Sequence, residues 1–95
     1  MGDGTMKSIL QEDKVCFICG NTQVHEHHIY FGANRKASEN NGFKIYLCPY
    51  HHNMSDEGVH FNKELDIQLK KMCQEKFEET HTREEFMKII GKNYL

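Results

Sequence analysis

Cys16 and Cys19 are separated by two residues, as are Cys48 and His51, and 28 residues lie between the two pairs. A spacing of three lets two side chains of one turn reach a single ion. Two such pairs supply the four thiolate and imidazole donors of a tetrahedral zinc site, which would tie distant segments of a short chain together. A redox-active dithiol is the competing reading of Cys16-Phe17-Ile18-Cys19. It needs no second pair, however, and no thioredoxin-like βαβ pattern surrounds this one. His52 competes with His51 for the fourth position. The spacing favours His51 and leaves His52 one step further along a helix, pointing elsewhere. The remaining imidazoles are concentrated too, since six of the seven histidines fall between His25 and His60. Among them His27 and His28 are adjacent, which on a strand turns their side chains to opposite faces unless the strand is bent or bulged.

The elements that must position these residues can be read from local pattern. Cys16 to Gly20 reads as a tight turn, with Gly20 free to take positive φ. The β-branched and aromatic run from His27 to Phe31 predicts a strand that Gly32 ends. Residues 33–42, rich in Asn, Ser and charge, read as a surface loop carrying Arg35 and Lys36. Lys44 to Leu47 alternates as a second strand, and Pro49 is placed to open a short helix. From Asn62 onward the period changes. Leu65, Leu69, Met72, Cys73 and Phe77 share one face of a helix expected over residues 63–79, with Cys73 a small core residue. Thr82-Arg83-Glu84-Glu85 is a capping box for a last helix that runs to Ile90 and buries Phe86, Ile89 and Ile90, with Gly91 as its C-terminal cap. The polar stretch 1–14 reads as a flexible lead-in, Met1 to Thr5 being a short extension ahead of Met6, and residues 15–95 as one domain.

Taken in order, Cys16-Phe17-Ile18-Cys19, His27-His28-Ile29 and Leu47-Cys48-Pro49-Tyr50-His51-His52 resemble the HNH (ββα-metal) endonuclease family, with His51 where the family usually has its last zinc cysteine. The likeness covers residues 15 to about 60. Gly58-Val59-His60 and the ending with Gly91-Lys92-Asn93-Tyr94 are similar to small phage-encoded HNH proteins. The resemblance implies an α+β fold: a ββα-metal finger with a Cys3His zinc knuckle and two C-terminal helices. It implies hydrolysis of DNA phosphodiester bonds, with His28 as the general base. An imidazole suits that task because its unperturbed pKa lies near working pH. His27 and His52 would hold a divalent ion such as Mg²⁺, Mn²⁺ or Ni²⁺ that binds a phosphate oxygen and stabilises the leaving 3′ oxygen. These two roles are open to exchange within the His27-His28 pair.

One departure stands out. The family's middle Asn, nine residues before the last His of the motif, falls on Phe43. That Asn pins the loop between the strands. Here Asn40 or Asn41, or Phe43 packed into the core, would have to do so. His60 is a candidate third ligand or phosphate contact. Asp56 could share the helical face of His52, although Asp before Glu57-Gly58 is more often a turn former. Arg35 and Lys36 are candidate DNA-phosphate contacts, and His25 and His81 read as surface residues.

Composition bounds these readings. Ninety-five residues make one compact domain whose small core gains from a metal staple. Hydrophobic residues at 38% and charged residues at 27% exclude a disordered chain, and no apolar run approaches the roughly 20 residues of a membrane span. The start carries no secretory signal, so a reducing cytoplasm is expected, with the cysteines available to metal. The net charge of −2 argues against indiscriminate nucleic-acid binding, and residues 27–63 carry four bases to three acids, so DNA contact is expected from a few placed residues and not from a broad basic face. The alternative from another class is a non-catalytic zinc module that binds nucleic acid or protein. Such a module needs His51 but has no use for His27, His28 and His52 together.

Overall fold

The computed structural model describes residues 7–54 and 62–95. Its architecture is α+β. Strand β1 (His25–His28) pairs antiparallel with β2 (Lys44–Leu47), in the register His25 to Leu47 and His28 to Lys44. The connection between them is structured: a 3-10 turn at Gly32–Asn34 leads into helix α1 (Arg35–Asn41). After β2 comes one wide turn of π-type helix at Tyr50–Met54, then α2 (Lys63–Phe77) and α3 (Arg83–Ile90). Among the described residues no helix is long and apolar enough to cross a membrane.

Three sequence expectations change here. The first strand lies two residues earlier than expected and stops at His28. The Ile29 N–H still reaches the Phe43 carbonyl (2.9 Å), but both backbone groups of Tyr30 turn to the Ser38 hydroxyl (3.2 and 2.6 Å), so pairing with β2 ends. Residues 33–42 contain a helix, not only a loop. Its polar composition hid it, because Ser38 is its one fully buried residue and Ala37 only leans on the core. Gly42 closes α1 at φ 73°, and a Cβ there would sit 2.3 Å from the Lys7 carbonyl oxygen, so both conformation and space require glycine. Finally, residues 8–11 are packed and do not form a free lead-in. The Ser8 hydroxyl donates to the Lys44 carbonyl, the Ile9 N–H to Gly42 (3.0 Å), and the Tyr46 N–H to the Gln11 side chain (2.8 Å). This segment covers the outer edge of β2, which would otherwise offer unpaired backbone groups.

The core forms where the inner face of β2 meets the C-terminal helices. Ile45 and Leu47 alternate inward, and Phe43 packs edge-on against Tyr30 and Phe77 at 5.5 and 5.3 Å between ring centroids. Phe86 from α3 completes the aromatic cluster. Cys73 is fully buried, and burial pushes its thiol up to about 12, consistent with a small inert core residue. Helix α2 begins where the Asn62 side chain accepts from the Leu65 N–H (3.0 Å), and both halves of the Thr82–Glu85 capping box are formed. The Asn34 amide donates to the Ile90 carbonyl (3.1 Å) and so ties the start of α1 to the end of α3.

Candidate metal centre and histidine cleft

The first ligand pair sits on a turn in which the Gly20 N–H returns to the Cys16 carbonyl (2.9 Å). The second opens the helical turn after β2, where the His52 N–H bonds the Cys48 carbonyl (2.9 Å). The fold brings the two together. The Sγ atoms of Cys19 and Cys48 are 3.7 Å apart, and His51 Nδ1 lies 3.7 Å from Cys16 Sγ and 3.3 Å from Cys48 Sγ. All four donor atoms fall within 4.8 Å of one another. A tetrahedral ion with metal–sulfur bonds of about 2.3 Å sets its sulfurs about 3.8 Å apart. The four residues could therefore hold one metal ion with little rearrangement.

The electrostatics of the group point the same way. Burial opposes the Cys16 thiolate, yet hydrogen bonds from the Cys48, Cys19 and Ile18 backbone and the Cys19 side chain outweigh it and bring the thiol down to about 6. At Cys19 the Asn21 backbone favours the thiolate, but desolvation and the neighbouring sulfurs of Cys16 and Cys48 push it up. The Cys16 and Cys48 sulfurs thus oppose the ionisation of Cys19. A cation among them would relieve that opposition.

Side-chain alternation along β1 sorts the second constellation. His25 and His27 take one face, and Glu26 and His28 the other. On the first face the ring of buried His27 lies 5.4 Å from that of His52 at 69°, and exposed His25 stands 5.6 Å from His52 as well. On the second face His28 Nε2 is 2.6 Å from Glu39 Oε1 and 3.6 Å from Glu26. Lys44, opposite His28 in the register, bridges both carboxylates at 3.0 and 3.4 Å. Burial works against the Lys44 ammonium, but Glu39 and Glu26 outweigh it and hold the group charged. The His28 and Lys44 hydrogen bonds hold the Glu39 carboxyl below the usual carboxylate range. Glu26, His28 and Glu39 also gather three donors within 4.8 Å, but the Lys44 ammonium already bridges the two carboxylates, so we read an ion-pair network.

Although His27 and His28 belong to opposite faces, both border one cleft of about 290 Å³, because β1 ends there. His52, Arg35, Glu26 and Phe31 complete its lining. Lys36 lines an adjoining cavity of about 500 Å³ with Arg35, His28 and Glu39. His60 and Asp56 lie outside the described residues. Asn41 donates only to Ala37 within its own helix, so neither it nor exposed Asn40 pins the connection between the strands; Ser38 and buried Phe43 do. His81 is exposed and stacks on Phe77 (4.2 Å, 7°). His25 is exposed as expected, yet it belongs to the histidine cluster. The His25-Glu26-His27 alternation was the available signal. Glu39 and Lys44 carried none, because their approach to His28 depends on α1 and on the register. No family model, curated protein or solved structure matches this chain.

Proposed function

We propose that this chain is a metal-dependent DNA endonuclease of the ββα-metal type, with structural zinc at Cys16, Cys19, Cys48 and His51. The observation that carries this reading is the meeting of His27 on β1 with His52 on the turn after β2, at the cleft that His28 also borders. Two imidazoles sharing an ion at about 2.0–2.1 Å place their ring centroids about 5 Å apart, close to the 5.4 Å found. That spacing leaves room for a divalent ion between the rings: Ni²⁺ suits imidazole donors, and Mg²⁺ or Mn²⁺ would draw its further ligands from water and phosphate oxygens. Such an ion, when bound, supplies positive charge to the phosphate and to the departing oxygen. His28 takes the proton of the attacking water, and Arg35 at the cleft holds a phosphate oxygen. Phosphodiester hydrolysis then leaves a 5′-phosphate and a 3′-hydroxyl. The Cys3His group fastens the turn that bears His52 to the N-terminal knuckle, so zinc acts on the cleft only through structure.

Phe43 in the core, together with a net charge of −2, favours a second reading: a non-catalytic zinc module that binds nucleic acid or protein. Plasmid cleavage by zinc-loaded protein with added Mg²⁺, Mn²⁺ or Ni²⁺ separates the two. His28→Ala should lose roughly 10²- to 10⁴-fold in rate. His27→Ala and His52→Ala should be partly rescued by more of the added ion. Equal cleavage by wild type and His28→Ala would abandon the nuclease and leave the binding module.

A further inference from the structure

We infer that Glu39 is a positioning residue for His28: its carboxylate, anchored by Lys44, holds the imidazole with its proton on Nε2 and so turns Nδ1 into the proton acceptor. The inference rests on the nuclease reading above for its consequence in catalysis, but the contact itself stands on geometry. Glu39 Oε1 lies 2.6 Å from His28 Nε2, and its other oxygen takes the Lys44 ammonium at 3.0 Å. Lys44 is itself buried and opposite His28 in the register, so the carboxylate is gripped from β2 while it grips β1. The backbone behind it is fixed as well. Ser38, the preceding residue, exchanges two hydrogen bonds with Tyr30, just past the end of β1. Glu39 is thus delivered to His28 by a helix locked onto the same strand.

The chemistry follows from what each group can do. An ionised carboxylate only accepts, so the imidazole nitrogen facing it must carry the hydrogen. The other nitrogen then keeps its lone pair. When that nitrogen takes a proton from water, Nε2 retains its own, the ring becomes imidazolium, and the adjacent carboxylate stabilises the charge without taking the proton. Without Glu39 the remaining acid beside Nε2 is Glu26, at 3.6 Å and outside hydrogen-bond reach, so both tautomers are populated and a fraction of the molecules present no acceptor to the water.

The test uses the zinc-loaded full chain. The His28 tautomer is read by long-range ¹H–¹⁵N NMR at one alkaline pH where imidazoles are neutral. Wild type should show Nε2–H alone, and Glu39→Ala a mixture of tautomers. Plasmid cleavage by Glu39→Ala should fall roughly 10- to 100-fold in kcat, with zinc content and the Kd of the added ion unchanged. Glu39→Gln, whose carbonyl can still accept, should recover part of both. Should Glu39→Ala fold poorly, Glu39→Asp keeps the charge but withdraws the carboxylate by about 1.5 Å, and it should show the mixed tautomer and the lower kcat. A pure Nε2–H tautomer in Glu39→Ala or Glu39→Asp overturns the inference, whatever the rate. If His28→Ala cleaves as wild type does, it is the nuclease reading that fails. The tautomer measurement still judges the hold of Glu39 on His28.

Discussion

Replacing Phe43 with Asn, the residue that the HNH pattern resembled by this sequence has at the matching place, tests whether position 43 serves the core or has lost a loop-pinning amide. The Phe43 ring is fully buried, with Tyr30, Phe77 and Phe86 around it at 5.5, 5.3 and 5.9 Å between centroids. Removing it forfeits transfer free energy and leaves a cavity, together about 3–5 kcal/mol. A carboxamide in that apolar space has no partner there, which adds about 1–3 kcal/mol. The sum, about 4–8 kcal/mol, approaches the whole stability of an ordinary domain, about 5–15 kcal/mol. Phe43→Leu keeps an apolar side chain and should cost only about 1–2 kcal/mol. Urea unfolding followed by far-UV circular dichroism, at constant zinc, reads both. With a slope of about 1.5 kcal/mol per molar urea, the Asn variant should lose at least about 2 M in midpoint, and the Leu variant about 1 M. A Phe43→Asn protein within about 1 kcal/mol of wild type that also cleaved DNA faster would refute the reasoning. It would mean that the site tolerates the polar residue and lacks it for function.

Three further outcomes are expected. Chelation under reducing conditions should unfold the protein and added zinc should restore it, while Cys16→Ser and Cys48→Ser should fold poorly even with zinc present; a folded, metal-free wild type would remove the Cys3His site. Ser38→Ala should cost about 2–4 kcal/mol and speed amide exchange at Tyr30, because both buried backbone groups of Tyr30 lose the Ser38 hydroxyl; a loss under about 0.5 kcal/mol would show that α1 is held otherwise. The Thr82 backbone N–H and hydroxyl, with His81 and Lys88 nearby, hold the Glu85 carboxyl below the usual range. A depressed carboxyl contributes stability in full above its unfolded pKa, about 4.3, and loses it as pH falls through the folded value. The Tm gap between wild type and Glu85→Gln should therefore be full at neutral pH and close under acid; a gap that widened on acidification would contradict the capping box.

Local pattern carried several elements unaided. The spacing of three in Cys16–Cys19 and Cys48–His51 named the four donors that the fold gathers, because such spacing needs only one turn of backbone. Strand β2, the start of α2, the capping box and the buried Cys73 were legible for the same reason: periodicity and caps are set by neighbours a few residues away. Helix α1 was not legible. Residues 35–41 bury too little to show a helical stripe. The helix is held by a left-handed Gly42 against Lys7 and by Asn34 reaching Ile90, contacts that no window of sequence contains.

The candidate site divides along the same line. The types of its histidines and their order along the chain were plain in the sequence. Which face each takes follows from alternation once β1 is known to begin at His25, two residues earlier than its β-branched run implied. What only the tertiary structure decided is who meets whom. His25 joins His27 at His52, and Glu39 and Lys44 converge on His28, through pairings that span 11 to 27 residues. Those distances close only when β1 and β2 pair in one register and α1 folds back over them. That register rests on the packing of Ile45 and Leu47 in the apolar core, since a one-residue slip would take both off that face and put Lys44 and Tyr46 on it.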